Sequence, residues 1–144
     1  NIVAIAGFAK ACELNSEKLQ DSSRQGALRD LFESKISELG AVIFAQAEPR
    51  IENTSFFGFP SIDGATLITA LDKYGIGIAS GSACSSNNKE PSHVLIEMGM
   101  DPITAQSAVR LSLSTLNTQD DVLYLIDKIK YEVKRLTSFA SILN

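Results

Sequence analysis

The sequence predicts an α+β fold, a small, mainly antiparallel sheet covered by helices in one domain. Three observations carry this. Apolar residues recur at helical spacing over long stretches at both ends of the chain. Four short segments elsewhere are apolar, β-branched or strictly alternating, and turn-forming residues bound them. A length of 144 residues with 44% hydrophobic content suits one domain with a real core.

Taken in order, Ile2, Ile5, Ala6 and Ala9 share one face of a first helix over residues 2–12. Ser16 reads as the N-cap of a second helix, with Leu28, Leu31, Phe32, Ile36 and Leu39 on one face. Gly26 is a soft spot in that helix and Gly40 stops it. Residues 41–47 form an apolar run suited to a strand, ended by Pro49, and residues 54–59 form a β-branched and aromatic one, ended by Pro60. The polar turn 48–53 lets these two pair antiparallel. Asp63 caps a helix carrying Leu67, Ile68, Leu71 and Tyr74, which Gly75 closes. Residues 76–79 are a third short strand. Pro91 at a first helical position and Gly99 past the end frame a two-turn helix, and Asp101-Pro102 opens another. Residues 108–113 alternate, with Val109, Leu111 and Leu113 on one face and Arg110 and Ser112 on the other. Thr118 and Asp121 start the last helix in a variant of the capping box, and its stripe is Val122, Leu125, Ile126, Ile129, Val133 and Leu136. The order is α-α-β-β-α-β-α-α-β-α.

Bulk chemistry narrows the function. The net charge is −4 and the basic residues are scattered, so nucleic acid is not an expected direct partner. No apolar run is long enough to span a bilayer, and no membrane role is expected. The apolar start, Asn1-Ile-Val-Ala-Ile-Ala-Gly-Phe, lacks a charged region before it and reads as a helix cut from a longer chain rather than a signal peptide. Two cysteines and one histidine are too few for an all-Cys/His tetrahedral zinc site, so no metal is expected. Cys12, within a periodic apolar helix, reads as a small core residue. Without an abundance of paired cysteines, the cell interior is the expected compartment.

The most informative segment runs from Gly75 through Cys84 to Pro91. Residues 81–88 carry no bulky apolar side chain, so the segment cannot bury itself and presents its thiol to solvent or to a partner. An accessible thiol can reach thiolate form and act as a nucleophile. By composition alone, a surface cysteine without a role is the first reading.

Ser80-Gly-Ser-Ala-Cys84-Ser, followed by Glu90-Pro-Ser-His-Val-Leu95 and Met98-Gly-Met, resembles the active-site stretch of cysteine desulfurases of the NifS/IscS kind. The likeness continues in Val109-Arg-Leu-Ser-Leu113 and Thr118-Gln-Asp-Asp-Val, and begins upstream in the first eight residues and in Asn53-Thr-Ser-Phe-Phe-Gly-Phe-Pro. It spans essentially the whole chain in the family's motif order. The resemblance implies that residues 1–144 are the C-terminal small domain of a fold-type I pyridoxal phosphate enzyme. The large domain, with the cofactor on a lysine Schiff base, lies outside this chain. None of the eight lysines here has the family's Ser-x-His-Lys surroundings, and this chain alone is expected to be inactive.

The family's chemistry implies roles residue by residue. Cys84 matches the nucleophile that takes sulfur from L-cysteine as a persulfide, releasing L-alanine. Its Gly/Ser/Asn-rich loop, with Glu90-Pro-Ser after it, resembles the long-loop branch that serves iron–sulfur cluster assembly and thiolation. That loop, residues 80–89, is expected to be the most mobile interior part of the domain. Arg110 matches the arginine that binds the substrate carboxylate, where a guanidinium fork gives two parallel hydrogen bonds. By alternation alone the first reading is an arginine on the solvent face of an edge strand. His93, in a first helical turn, reads as a capping or packing residue with proton transfer as the second reading. Asn53 and the loop serines, Ser80 among them, are expected to fix strand and loop ends. Ser114 stands where the family often has Gly. The implied partners are L-cysteine and a sulfur acceptor or iron–sulfur scaffold protein, with a cytoplasmic homodimer as the working form. A selenocysteine lyase domain and a stand-alone sulfur-carrier module are the alternatives. A lysine in Ser-x-His-Lys context upstream of Asn1 separates the enzymes from the carrier.

Overall fold

Ten elements follow the expected order in a computed structural model that describes residues 1–18, 23–81 and 91–140. They are α1 (Ile2–Lys18), α2 (Ser23–Ser37), β1 (Val42–Ile43), β2 (Thr54–Gly58), α3 (Gly64–Asp72), β3 (Ala79–Ser80), α4 (His93–Glu97), α5 (Pro102–Gln106), β4 (Val109–Ser112) and α6 (Gln119–Ala140). The strands form one sheet in the order β1-β2-β4-β3, antiparallel at every step. The α+β class, with a small antiparallel sheet covered by helices, is what the structure shows.

Strand side chains alternate between faces, so each strand feeds two layers. On the inner face Ile43, Phe57, Val109, Leu111 and Leu113 meet Leu28, Phe32 and Ile36 of α2, Leu67 and Leu71 of α3, and Val122, Leu125 and Ile129 of α6. Phe32 and Phe57 meet edge to face with ring centroids 5.1 Å apart. On the outer face a smaller cluster joins Val42, Phe44 and Phe56 to Ala108, Leu95 of α4 and Ala105 of α5. Three helix starts are capped as their sequences dictate. Asp63 accepts from the Thr66 N–H at 3.0 Å and Asp101 from the Thr104 N–H at 3.0 Å. Thr118 and Asp121 exchange bonds, Asp121 N–H to Thr118 Oγ1 at 3.2 Å and Thr118 N–H to Asp121 Oδ2 at 2.8 Å.

The departures are local and have physical causes. The strand expected over 41–47 stops at Ile43; the Phe44 N–H still bonds the Phe56 carbonyl at 2.8 Å, and Ala45 then turns the chain at φ 52°. The strand expected over 76–79 pairs only from Ala79, because Ile76 and Ile78 pack on the inner cluster instead. Ser92 is the N-cap residue of α4, without a side-chain cap bond, so His93 and not Pro91 is its first residue. Ser16 lies inside α1 rather than capping α2. Cys12 is exposed, not a core residue, because residues 2–15 of α1 are all exposed. Lys73, expected on a helix, is the C-cap of α3.

Candidate functional site

β4 has strands on both sides, so Arg110 stands mid-sheet and not on an edge strand. Strand parity sends Val109 and Leu111 into the core and turns Arg110 outward, where it is exposed. The ladder defines its neighbours. The Leu113 N–H bonds the Asn53 carbonyl at 2.7 Å, the Phe44 N–H bonds Phe56, and the Gly81 N–H bonds the Ala108 carbonyl at 3.1 Å. The peptide groups of Arg110 therefore point toward β3 and those of Phe56 toward β1. Arg110 and Phe56 are thus a non-hydrogen-bonded cross-strand pair, the type in which side chains stand closest. Across β3 its partner is Ala79, and its same-face neighbours along β4 are Ala108 and Ser112. All of these but Phe56 are short, so among the described residues Phe56 is the one aromatic neighbour of Arg110.

The other four arginines are held. Arg24 donates to the Asn117 carbonyl at 2.8 Å, Arg29 to the Ile51 carbonyl at 2.9 Å and Arg135 to Glu132 at 2.7 Å. Arg50 grips Glu33 with both ends of its fork, at 2.7 and 2.9 Å; that bond, against the opposing effect of burial, raises its pKa further. Arg110 is the one arginine with neither an ion pair nor a side-chain hydrogen bond among the described residues.

Asn53 fixes a strand end as expected: its Nδ2 donates to the Leu113 carbonyl at 3.1 Å and its Oδ1 accepts from Thr54 at 3.2 Å. Ser114 serves the turn into α6, where its N–H and hydroxyl both donate to Asn117 Oδ1 at 2.8 and 3.1 Å. His93 is exposed, and among the described residues its partner is Glu97 one turn on, at 3.5 Å, and it is not joined to Arg110. Cys84, with Ser82, Ser85, Ser86 and the rest of residues 82–90, lies outside the described residues, and so does the expected mobility of its loop. Sequence reasoning missed Phe56 and Gly81. Only the register between strands far apart in sequence places them beside Arg110. A cavity of about 350 Å³ opens between Ile76-Gly77, β4 and the first turn of α6, but neither Arg110 nor Gly81 lines it. Among the described residues no three His, Cys, Asp or Glu side chains gather as a metal site. No described helix is long and apolar enough to cross a membrane.

The family model "Aminotransferase class-V" matches residues 1–125. The chain belongs to that family. It is 34% identical to a protein named cysteine desulfurase 2 from Trichormus variabilis, over 98% of this chain and 37% of that one. It is also 34% identical to a cysteine desulfurase IscS from Clostridium botulinum, over 94% of this chain and 35% of the relative. A solved NifS-like protein superposes with a TM-score of 0.81 at 34% identity, covering 93% of this chain and 34% of its own. A NifS-like protein from Rickettsia africae superposes with a TM-score of 0.79 at 28% identity, over 94% of this chain and 35% of that one. The chain thus spans about a third of the length of the relatives it matches.

Class-V aminotransferases use pyridoxal phosphate in general, which raises the question of whether the lysines here could hold it. A Schiff-base lysine needs an unpaired amine with a lowered pKa. Lys10, Lys35 and Lys128 are instead paired to Glu13, Glu38 and Asp127 at 2.9, 2.9 and 3.0 Å, and the bond to Asp127 raises the Lys128 pKa. Lys73 lies 3.9 Å from the Glu132 carboxylate, and Lys130 and Lys134 are exposed on α6. The described lysines do not fit the group.

Proposed function

We propose that this chain is the C-terminal, sulfur-handling part of a cysteine desulfurase, with pyridoxal phosphate held on a lysine outside it. The observation that carries the reading is Arg110. Among the described residues it is an unpaired guanidinium, at the middle of the sheet and near Gly81, after which the cysteine segment begins. A fork in that position binds the carboxylate of L-cysteine through two charge-assisted hydrogen bonds and orients its sulfur. Bound on a lysine outside this chain, the cofactor would supply the electron sink for carbon–sulfur cleavage. Cys84, as thiolate, attacks the substrate sulfur; an S–S bond forms, the substrate Cβ–S bond breaks, and its electron pair stays with the carbon that becomes alanine on protonation. The persulfide then passes to a separate acceptor or an iron–sulfur scaffold protein, and the whole protein works as a homodimer.

The test uses the full-length protein that contains this chain. Cys84→Ser keeps L-cysteine binding and abolishes the persulfide, read as a gain of one sulfur by mass spectrometry, because a hydroxyl is a far poorer sulfur nucleophile. Arg110→Ala raises KM for cysteine on the order of tenfold or more. Undiminished persulfide on the Cys84→Ser protein, or unchanged KM in Arg110→Ala, removes the respective role. Persulfide chemistry without any alanine formed would leave a sulfur carrier in place of an enzyme.

A further inference from the structure

Phe56 has no part in the chemistry above, yet it pairs with Arg110 across the ladder and stands against Gly81, the last described residue before the cysteine segment. Its ring stands on the outer face as the cross-strand partner of Arg110. Its edge also closes over the last described residue before the cysteine segment. A Cβ built on Gly81 would lie 2.9 Å from Phe56 Cζ, 3.0 Å from Phe56 Cε2 and 3.1 Å from Ala108 Cβ. Gly81 does not have the positive φ that makes glycine necessary at Gly40, Gly75 and Gly99. What requires glycine there is space, and Phe56 takes most of that space. Phe44 backs the ring from the other side, with centroids 5.0 Å apart and planes at 49°, so Phe56 cannot swing away freely. The Gly81 N–H is meanwhile tied to the Ala108 carbonyl at 3.1 Å, two residues from Arg110 on the same strand.

We propose that Phe56 is a positioning residue: its ring sets where the cysteine segment leaves the sheet relative to the carboxylate-binding Arg110. The proposal rests on the reading of Arg110 and Cys84 given above. Reach gives the physical reason. The thiol lies three residues beyond Gly81, and a slip of one residue at that point moves its anchor by about 3.8 Å. That is as large as the separation of about 3–3.5 Å at which reacting atoms must be held, so the anchor decides how often the thiolate arrives in line. Substrate binding needs only Arg110, so disturbing the anchor lowers kcat and leaves KM nearly alone.

The experiment is a size-swap cycle in the full-length protein with its cofactor, following alanine release and persulfide at varied L-cysteine. Gly81→Ala alone should lower kcat on the order of 100-fold with KM within about twofold. Phe56→Leu alone should lower it roughly tenfold or less, and the double variant should return to within about threefold of Phe56→Leu, because the smaller side chain vacates the space the new methyl needs. A double variant no better than Gly81→Ala overturns the proposal. So does a Gly81→Ala protein whose kcat and KM fall into line with wild type. If Gly81→Ala fails to fold, Phe56→Leu decides alone: kcat lowered at unchanged KM and unchanged unfolding midpoint supports positioning, and any other pattern overturns it. Cys84→Ser and Arg110→Ala run alongside. If those two leave alanine release and KM untouched, the functional reading itself has failed, whatever the cycle shows.

Discussion

α1 and α6 are the two longest helices of the molecule, and they treat their apolar residues in opposite ways. α6 buries Val122, Leu125 and Ile129 against α2, α3 and the sheet. α1 carries Ile2, Val3, Ile5 and Phe8 at 85%, 81%, 68% and 73% exposure. An isolated helix of α1's length is marginal in water, since most helical stability in a protein comes from packing one face. Helical periodicity therefore predicts that a segment can be helix. It does not say which layer the helix joins.

The comparison also holds for charges. Glu132 of α6 is buried, and it is fully engaged: the Tyr74 hydroxyl donates to it at 2.8 Å, Arg135 Nε at 2.7 Å, and Lys73 stands 3.9 Å away. Burial pushes its carboxyl up, but those bonds and the positive charges of Arg135 and Lys73 outweigh burial and hold it below its ordinary value. The same hydrogen bond pushes the Tyr74 hydroxyl upward. On α1 the corresponding pair, Lys10 and Glu13 at 2.9 Å, is open to water and contributes little.

Ile129→Ala should give the largest loss, roughly 2–5 kcal/mol by denaturant unfolding, because the site is fully buried between three elements. A loss under about 1 kcal/mol would mean that α6 is no better packed than α1. Glu132→Ala ranks next, on the order of 1–3 kcal/mol, since it strands the Tyr74 hydroxyl and Arg135 without their acceptor. Its pH signature has a definite sign. A carboxyl held below its unfolded value contributes stability that is present above that value and lost as pH falls through the folded one. Unfolding curves should therefore show an acid-side decline that Glu132→Gln flattens. Thr118→Ala removes half of the capping box of α6 and should cost about 1 kcal/mol. The Asp121 carboxyl, held low by the Thr118 N–H and hydroxyl, loses part of that support. Phe8→Ala should give the smallest effect, within about 0.5 kcal/mol, and the amides of α1 should exchange far faster than those around Ile129. A large loss at Phe8 would show that α1 is packed in solution.

Much of this protein was legible from local signals. The ten-element order, the caps at Asp63, Asp101, Thr118 and Asp121, the alternation that turns Arg110 outward, and the inner stripes of α2 and α6 each depend on residues within a few positions of one another. The family's motifs are legible for the same reason. What sequence could not supply lies between residues far apart. Position 56 meets 110 through strand register, and Gly81 needs to be glycine because a ring from β2 fills its space, not because its backbone demands it. The interior place of β4 was decided the same way, by strands pairing on both of its edges. The early end of β1 came with the turn at Ala45, and β3 starts late, after Ile76 and Ile78 have packed on the inner cluster. Cys12 followed α1 to the outside although its spacing suited a core. By itself the sequence determined which segments are helix or strand and which face of each is apolar, because those are short-range properties of the backbone and of side-chain period. Tertiary structure alone decided which face meets which, because packing and register select among partners that local propensity leaves equivalent.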